Sequence, residues 1–276
     1  MDNLNRNLVR RWRVAIFALA VAGVAWYASF SMTMEMMPLF ALALPAGAAL
    51  GVAVGVVVIA ISGLLYVERH QLQPVPRKQM ANLRQAMKSA SHRFKTPVPF
   101  LYLADRPDLF VASVIAVPFR AKVMVSQKVG AALNQDELDA IAVHEAAYLV
   151  HRDYLLDWLL NSAKAAVLGT FVAYVLVVLT YVTVAPALAI DEKTFAFGAF
   201  ACAVLAVGYY VLARAHQRVK GLNDAAADLF CVKNGHGQQL ASVLGKLGES
   251  AYGAALNERI LNLKQTVKQA GKRQGA

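Results

Sequence analysis

The chain has 276 residues, of which 58% are hydrophobic and 16% are charged, whereas soluble globular domains carry about 25% charged residues. This composition excludes an ordinary soluble domain and predicts a protein that lies largely in lipid. The net charge of +11 does not predict a nucleic-acid partner, because the basic residues flank apolar stretches and no groove-reading motif accompanies them.

Four stretches of the chain contain no charged residue, and each can supply the roughly 20 apolar residues that span a bilayer. They are Val14–Met34, Met36–Val67, Ala165–Ile190 and Thr194–Ala213. The sequence therefore predicts four transmembrane helices. Because the second stretch exceeds one span, we expect it to tilt or to break near Pro45 and the glycines Gly47, Gly51 and Gly55. The first stretch lacks a small-residue cleavage site and is expected to be an anchor.

Basic residues cluster at one end of the predicted spans. They are Arg6, Arg10, Arg11 and Arg13 before the first span, Arg69, Arg77, Lys78, Arg84, Lys88, Arg93 and Lys95 after the second, and Arg214, Arg218 and Lys220 after the fourth. The opposite loops hold Glu35 in one, and Asp191, Glu192 and Lys193 in the other. The positive-inside rule therefore predicts that both termini and the region Glu68–Lys164 are cytoplasmic. The same residues favour membrane lipids with anionic headgroups as partners.

The chain is expected to have four parts: two spans in residues 1–67, a cytoplasmic block in 68–164, a hairpin of two spans in 165–213 and a cytoplasmic tail in 214–276. The predicted elements of the block are the helix Met80–Phe94, the strands Phe100–Leu103, Val111–Val117 and Lys122–Ser126, and the helix Gln135–Leu156. Asn134 and Glu137 form a capping-box signal at the start of the last helix. The predicted fold class is mainly α, a polytopic membrane protein with four transmembrane helices and a cytoplasmic α+β domain.

The tail begins with a predicted helix over Gly221–Val232, which Asn234-Gly235 would end. Further on, an apolar stripe at helical spacing comprises Leu256, Ile260, Leu263 and Val267. The stripe predicts a helix that either docks on the protein or lies on the membrane surface. Cys202 and Cys231 are not expected to form a disulfide on a cytosolic face.

The stretch AVHEAAYLVHRD, Ala142–Asp153, begins like the helical zinc motif H-E-x-x-H but has Tyr148 in place of the second histidine. Residues four apart lie on one helix face, so two histidines at that spacing can share a metal while the intervening glutamate deprotonates the bound water. The helix is otherwise apolar nearly all round. His144 and Glu145 therefore have two interpretations, a metal-site remnant or a hydrogen-bonded pair in a core.

The sequence ELDAIAVHEAAYLVHRDYLLDWLL, which starts at Glu137, resembles the active-site helix of the HtpX-like membrane zinc metallopeptidases, typically E-L-x-A-V-x-A-H-E-x-x-H-x-x-x-R-D. The antirepressor peptidases of β-lactam sensing share this helix and are a second possible relative. The DAAAD sequence at Asp224–Asp228 falls where the family has its E-x-x-A-D helix. The order of the spans is also similar to that of HtpX.

The resemblance implies a zincin-like domain and a zinc endopeptidase that cleaves membrane or misfolded proteins. It assigns Glu145 as the catalytic residue and His144, Asp224 and Tyr148 as metal ligands. Asp228 would be an acid that supports these ligands without binding the metal. The implied partners are a polypeptide substrate or a partner membrane protein. The implied location is a bacterial-type inner membrane with the domain in the cytoplasm. Strand Lys122–Ser126 would lie beside the cleft, and Arg152 with Asp153 would match the family's R-D.

Two of the assigned ligands depart from the family pattern. A phenol has a pKa of about 10 and must lose its proton to bind zinc well, and Asp224 is one methylene shorter than the usual glutamate. Two hypotheses remain open: an active zinc endopeptidase, and a pseudoprotease that binds polypeptides or membrane proteins through the old cleft.

The remaining histidines are not expected to complete the site. His151 lies seven residues after His144, about 10 Å along the helix axis, and cannot share an ion with it. His216 could approach Asp224 only if the chain bent at Gly221. His70, His92 and His236 are expected on the surface or in loops.

Overall fold

A computed structural model of the protein describes residues 3–36, 43–69, 73–76, 80–104, 111–117, 120–184, 192–247 and 254–274. His70, Pro118 and Asp191 lie outside these ranges. In chain order the elements are α1 Asn3–Met36, α2 Ala43–Arg69, β1 Gln73–Pro74, α3 Ala81–Phe94, β2 Phe100–Ala104, β3 Val111–Val117, β4 Arg120–Ser126, α4 Val129–Ala132, α5 Gln135–Val150, α6 Asp153–Val184, α7 Glu192–Lys233, α8 Gly237–Leu247 and α9 Ala254–Gln274.

The chain forms two compact units, and each is made of separate pieces. One, here called the site unit, comprises Met1–Leu8, Ile59–Tyr154 and Leu222–Ala276. The other, here called the apolar unit, comprises Val9–Val58 and Leu155–Gly221.

The described residues contain three helices that are long and apolar enough to cross a membrane, within Leu4–Met34, Asp153–Leu176 and Gly198–Lys233. They coincide with the first, third and fourth predicted spans. The second predicted span coincides with α2, of which the shorter segment Ala43–Gly55 is apolar. The count of four transmembrane helices therefore stays a prediction, and so does the cytoplasmic location of the α+β part.

Helix α2 runs without interruption through the glycines at which we considered a break. Its glycines serve close packing instead. A Cβ added at Gly51 would lie 2.3 Å from the carbonyl oxygen of Ala165, and one added at Gly169 would lie 2.3 Å from that of Gly47. Small residues therefore let the backbones of α2 and α6 touch, as is common between membrane helices.

We predict that Gly169→Leu destabilises the protein by about 1–3 kcal/mol, the usual cost of overpacking a tight contact. The matched control is Gly23→Leu on α1, because a Cβ at Gly23 meets nothing within 4 Å. Thermal unfolding in detergent should show a lower midpoint for the first variant and an unchanged midpoint for the second. Equal midpoints would mean that the close approach of α2 and α6 is absent.

The site unit contains a four-stranded sheet in the order β1-β2-β4-β3. The pairs β1–β2 and β3–β4 are antiparallel, and β2–β4 is parallel. The predicted strands are confirmed with small shifts, since β4 begins at Arg120 rather than Lys122. Strand β1 was not predicted from the sequence. Strand β4 is paired on both sides, so it offers no free edge to a bound polypeptide.

Helix α5 begins as predicted, because the Asn134 side chain accepts from the Glu137 amide and the Glu137 carboxylate accepts from the Asn134 amide. It ends earlier than predicted. The helix stops at Val150, Arg152 adopts a left-handed φ of 54°, and α6 starts at Asp153. The expected single helix to Leu156 was therefore wrong, although the chain does lead directly into the next apolar helix.

The end of α7 and the position of α9 complete the site unit. Gly235 has φ 85°, and the amides of Gly235 and His236 donate to the carbonyls of Val232 and Cys231. This is a Schellman motif at the predicted Asn234-Gly235 end of the helix.

Helix α9 packs on the core of the site unit, where Leu263 is buried and Ile260 packs against the same core. The tail helix therefore docks on the protein, which decides between the two alternatives for its apolar stripe.

A buried carboxylate ties α5 to α8. The two oxygens of Glu137 accept from Ser242 Oγ at 2.7 Å and from Lys246 Nζ at 2.7 Å. Burial by itself would raise the pKa of Glu137, but hydrogen bonds from Lys246, Ser242 and Asn134 outweigh it, so its pKa is lowered.

A lowered pKa in the folded state means that ionised Glu137 stabilises the protein above its unfolded pKa of about 4.3 and that this contribution is lost as the pH falls through the folded value. We predict that Glu137→Gln lowers stability at pH 7 by about 1–2 kcal/mol, because the charge-assisted hydrogen bond to Lys246 is lost while the amide oxygen can still cap Asn134. The difference between the variant and the parent should shrink as the pH falls below about 4.3, the unfolded pKa. Thermal melts at pH 7, 5 and 3.5 measure this, and a constant difference over that range would contradict it.

Candidate functional site

Helix α5 presents the predicted site residues from a tightly packed frame. Ala140, Ala146 and Ala147 are buried in the core, and their small side chains let neighbouring helices approach. The close approach of α7 is visible where Cys231 Sγ contacts the carbonyl oxygen of Ala140 at 3.7 Å. His144 and Tyr148 lie one turn apart with their rings edge to face, 5.2 Å between centroids.

Helix α7 brings both predicted aspartates to this face, one turn apart. The Tyr148 hydroxyl donates to Asp224 Oδ1 at 2.5 Å. His144 Nε2 lies 3.3 Å from Asp228 Oδ1, and its Nδ1 lies 3.4 Å from Glu145 Oε1. The structure therefore brings together all five residues named from the sequence, although it pairs them with one another.

A sixth residue, Arg259 of α9, lies inside this group. Its Nε donates to Asp228 Oδ2 at 2.8 Å and its Nη2 donates to Asp228 Oδ1 at 2.7 Å, a bidentate ion pair. The same Nη2 lies 3.0 Å from Nε2 of His144. Our sequence analysis missed Arg259. The available signal was weak: an arginine directly before Ile260 of the apolar stripe.

The protons in this group lie where they oppose metal binding. Burial by itself would lower the pKa of His144, but the hydrogen bonds and charges of Asp228 and Glu145 raise it to about 9. Burial, together with the charges of Asp224 and Glu145, raises the pKa of Tyr148 well above its usual value. Burial by itself would lower the pKa of Arg259, but the hydrogen bonds and the charge of Asp228 outweigh burial, so the pKa is raised above its usual value. The surroundings of His144 and of Tyr148 therefore both favour the protonated form of the side chain.

As arranged, these residues do not fit a zinc ion. Zinc ligands must be deprotonated, yet Nε2 of His144 lies against the guanidinium of Arg259 and the phenol of Tyr148 donates its proton to Asp224. The carboxylate of Asp228 is occupied by Arg259. Among the described ranges, no three His, Cys, Asp or Glu side chains are grouped so that they could hold a metal ion. The roles assigned to His144, Glu145, Tyr148, Asp224 and Asp228 stay predictions.

The other histidines have different surroundings. His216 contacts Asp157 through Nε2 and Lys164 Nζ through Nδ1, and α7 is continuous through Gly221. The ring of His151 packs edge to face on Phe230, 5.4 Å between centroids. Both observations agree with our expectation that neither histidine shares an ion with His144.

The apolar helices support the class of membrane proteins for this chain. Two curated proteins are similar in sequence. Protease HtpX of Legionella pneumophila is 27% identical over 110 residues, which cover 39% of this chain and 38% of that protein. Protease HtpX homolog of Trichormus variabilis is 26% identical over 107 residues, which cover 38% of this chain and 37% of that protein.

The chain thus matches less than two fifths of the length of these relatives. No family model matches it, and no solved structure matches it. The partial similarity supports an HtpX-like, membrane metallopeptidase-like family, and with the three apolar helices it supports a multi-pass membrane protein. The resemblance noted from the sequence is confirmed at that level.

We predict that Arg259→Ala releases the tail helix, because removing one partner of a buried ion pair leaves an uncompensated charge and costs about 3–5 kcal/mol. Thermolysin should then cut α9 much faster than in the parent. The control is Lys264→Ala, which removes an exposed cation from the same helix.

A second substitution separates charge from packing. Adding Asp228→Asn to Arg259→Ala removes the orphaned carboxylate, so the double variant should resist thermolysin better than Arg259→Ala alone. If Arg259→Ala and Lys264→Ala were cleaved at the same rate, the ion pair would not hold α9.

Proposed function

We propose that this protein is a metallopeptidase-like membrane protein that does not hydrolyse peptides, a pseudoprotease in which Arg259 has taken the place of the metal ion. The single observation that carries the proposal is the guanidinium of Arg259, which bonds both oxygens of Asp228 and lies 3.0 Å from His144 Nε2. An enzyme that relies on this imidazole to hold zinc needs its lone pair, and a cation already lies against it.

The charges support the same proposal. A zinc site of this type would combine a neutral imidazole with a divalent ion. Here the guanidinium of Arg259 supplies a positive charge that faces the carboxylate of Asp228, and His144 lies between that carboxylate and the carboxylate of Glu145. The group is therefore electrostatically compensated by the chain's own side chains. Tyr148 and Asp224 also bind each other rather than a metal ion, because the Tyr148 hydroxyl donates a short hydrogen bond to Asp224.

The activity we assign is binding. We infer the partners from the resemblance to membrane peptidases: they would be polypeptide segments or other membrane proteins. The proposed setting is a bacterial-type inner membrane with the site on the cytoplasmic side, as the distribution of basic residues predicts.

We predict that the purified protein retains no zinc after dialysis against micromolar zinc and does not cleave casein. The variant Tyr148→His, Asp224→Glu, Arg259→Ala restores the family's ligand types and removes the competing cation, so it should retain one zinc per chain. Metal analysis by mass spectrometry measures both. The control is the same variant with His144→Ala, which should lose the metal. Stoichiometric zinc in the parent that disappears on His144→Ala would overturn the proposal.

A second candidate is a latent zinc endopeptidase that becomes active when α9 withdraws. One observation favours it: Glu145 remains beside His144 and contacts Nδ1 only at a long 3.4 Å, as a carboxylate kept for a bound water would. In that case Arg259→Ala alone should gain zinc and cleave casein, and adding Glu145→Gln should abolish cleavage while zinc is retained. A variant that gains neither supports the pseudoprotease.

A further inference from the structure

A groove in the apolar unit, lined by none of the residues of the His144 group, has a composition that the proposed function does not use. It lies between α1 and α7 and encloses about 820 Å³. Its lining residues are Arg13, Val14, Phe17, Ala18, Tyr210, Val211, Arg214, Ala215, Gln217 and Arg218.

One part of the groove is strongly basic. Arg13 directly precedes the first apolar stretch, Arg214 directly follows the last, and Arg218 lies four residues further on. All three line the groove beside an end of an apolar stretch. Arg214 and Arg218 are one helical turn apart and share a face. The lining includes no acidic side chain, and all three arginines are exposed. The groove therefore concentrates three positive charges with no carboxylate among them.

Arg214 is held toward the groove by a neighbouring ring. Its Nε donates to the Tyr210 hydroxyl at 3.0 Å, and its guanidinium carbon lies 5.5 Å from the centroid of that ring. The hydrogen bond uses only Nε, so Nη1 and Nη2 of this exposed guanidinium remain as donors for an oxyanion.

The rest of the groove is apolar. Val14, Phe17 and Ala18 follow Arg13 along α1, and Val211 and Ala215 face them from α7. Phe17 is 67% exposed, so a large apolar surface continues from the arginines along the helix. The opposite face of α7 is occupied, because Leu212 and Val219 are buried in the core of the unit.

We propose that this groove is a binding site for one anionic phospholipid. The phosphate binds between Arg13, Arg214 and Arg218, and an acyl chain lies along Phe17 and Val211. Basic pockets between membrane helices select anionic headgroups in this way, and the apolar part gives the ligand's chain a surface that a free phosphate would not use. The charge complementarity and the continuous apolar surface both point to a lipid.

The test is a lipid titration of the purified full-length chain, delipidated in detergent and followed by native mass spectrometry. The probes are dioleoyl-phosphatidylglycerol and dioleoyl-phosphatidylcholine, which share acyl chains and differ in net charge. We expect the first phosphatidylglycerol to bind at least about tenfold more tightly. In the variant Arg13→Gln, Arg214→Gln, Arg218→Gln its affinity should fall by about a hundredfold, since each arginine near a headgroup contributes about fivefold. The affinity for phosphatidylcholine should not change.

The matched control is Arg6→Gln, Arg10→Gln, Lys220→Gln. It removes the same charge from the same two helices at residues that do not line the groove, and exposed charges that do not contact the headgroup contribute only a screened attraction. It should change the affinity less than threefold. All variants are first compared by thermal melting without lipid, where unchanged midpoints are expected because the three arginines are exposed.

Three results would overturn the proposal. Equal losses in the groove variant and the control would show diffuse attraction to basic residues. Equal affinities for the two lipids would show an apolar groove without headgroup recognition. Displacement of the lipid by millimolar inorganic phosphate, or equal binding of dihexanoyl-phosphatidylglycerol, would show an anion site that does not require a lipid. None of these outcomes bears on zinc or on the His144 group, so the two proposals fail independently.

Discussion

The site depends on the ion pair between Asp228 and Arg259. This one carboxylate receives two hydrogen bonds from the guanidinium and also faces His144, so it joins α5, α7 and α9 at a single point. Burying a carboxylate and a guanidinium costs several kcal/mol unless the pair is well aligned, and the bidentate geometry meets that requirement. Loss of any of the three partners would leave a buried charge, which is why the three helices hold one arrangement.

The pair also explains why a histidine and a glutamate remain compatible with an apolar helix. His144 lies between the carboxylates of Asp228 and Glu145, and the guanidinium of Arg259 balances the first of them. A core pair of this kind adds little net stability compared with apolar packing. Its effect is to fix how α9 docks, because the guanidinium fits only where its planar fork meets the two oxygens of Asp228.

The sequence predicted the elements that depend on local signals. The capping box at Asn134 and Glu137 and the end of α7 at Asn234-Gly235 were read correctly, because capping needs only residues within one turn. Val150 was missed as a helix end, because the left-handed turn at Arg152 uses no glycine or proline. The juxtaposition of α5 with α7 came from the resemblance, since no periodicity pairs residues that lie 84 positions apart, as His144 and Asp228 do.

The roles of Arg259 and of the glycines of α2 could not be predicted from local sequence signals. Whether an arginine beside an apolar stripe faces water or a carboxylate depends on a partner 31 residues away. A glycine-rich apolar stretch is equally compatible with a kink and with a close helix contact, and only the position of α6 decides between them. The docking of α9 was open for the same reason, because a protein core and a lipid surface select the same apolar stripe.

The site unit is assembled from pieces that are separated in the chain by the whole of Leu155–Gly221. His144 precedes that insertion, whereas Asp228 and Arg259 follow it. No contiguous fragment that omits the apolar helices can therefore contain the imidazole and its partners. The charge-compensated group can form only after α6 and the first part of α7 have been synthesised, because Asp228 and Arg259 lie beyond them. A nascent chain that stops before α7 therefore carries His144 without either of these two partners.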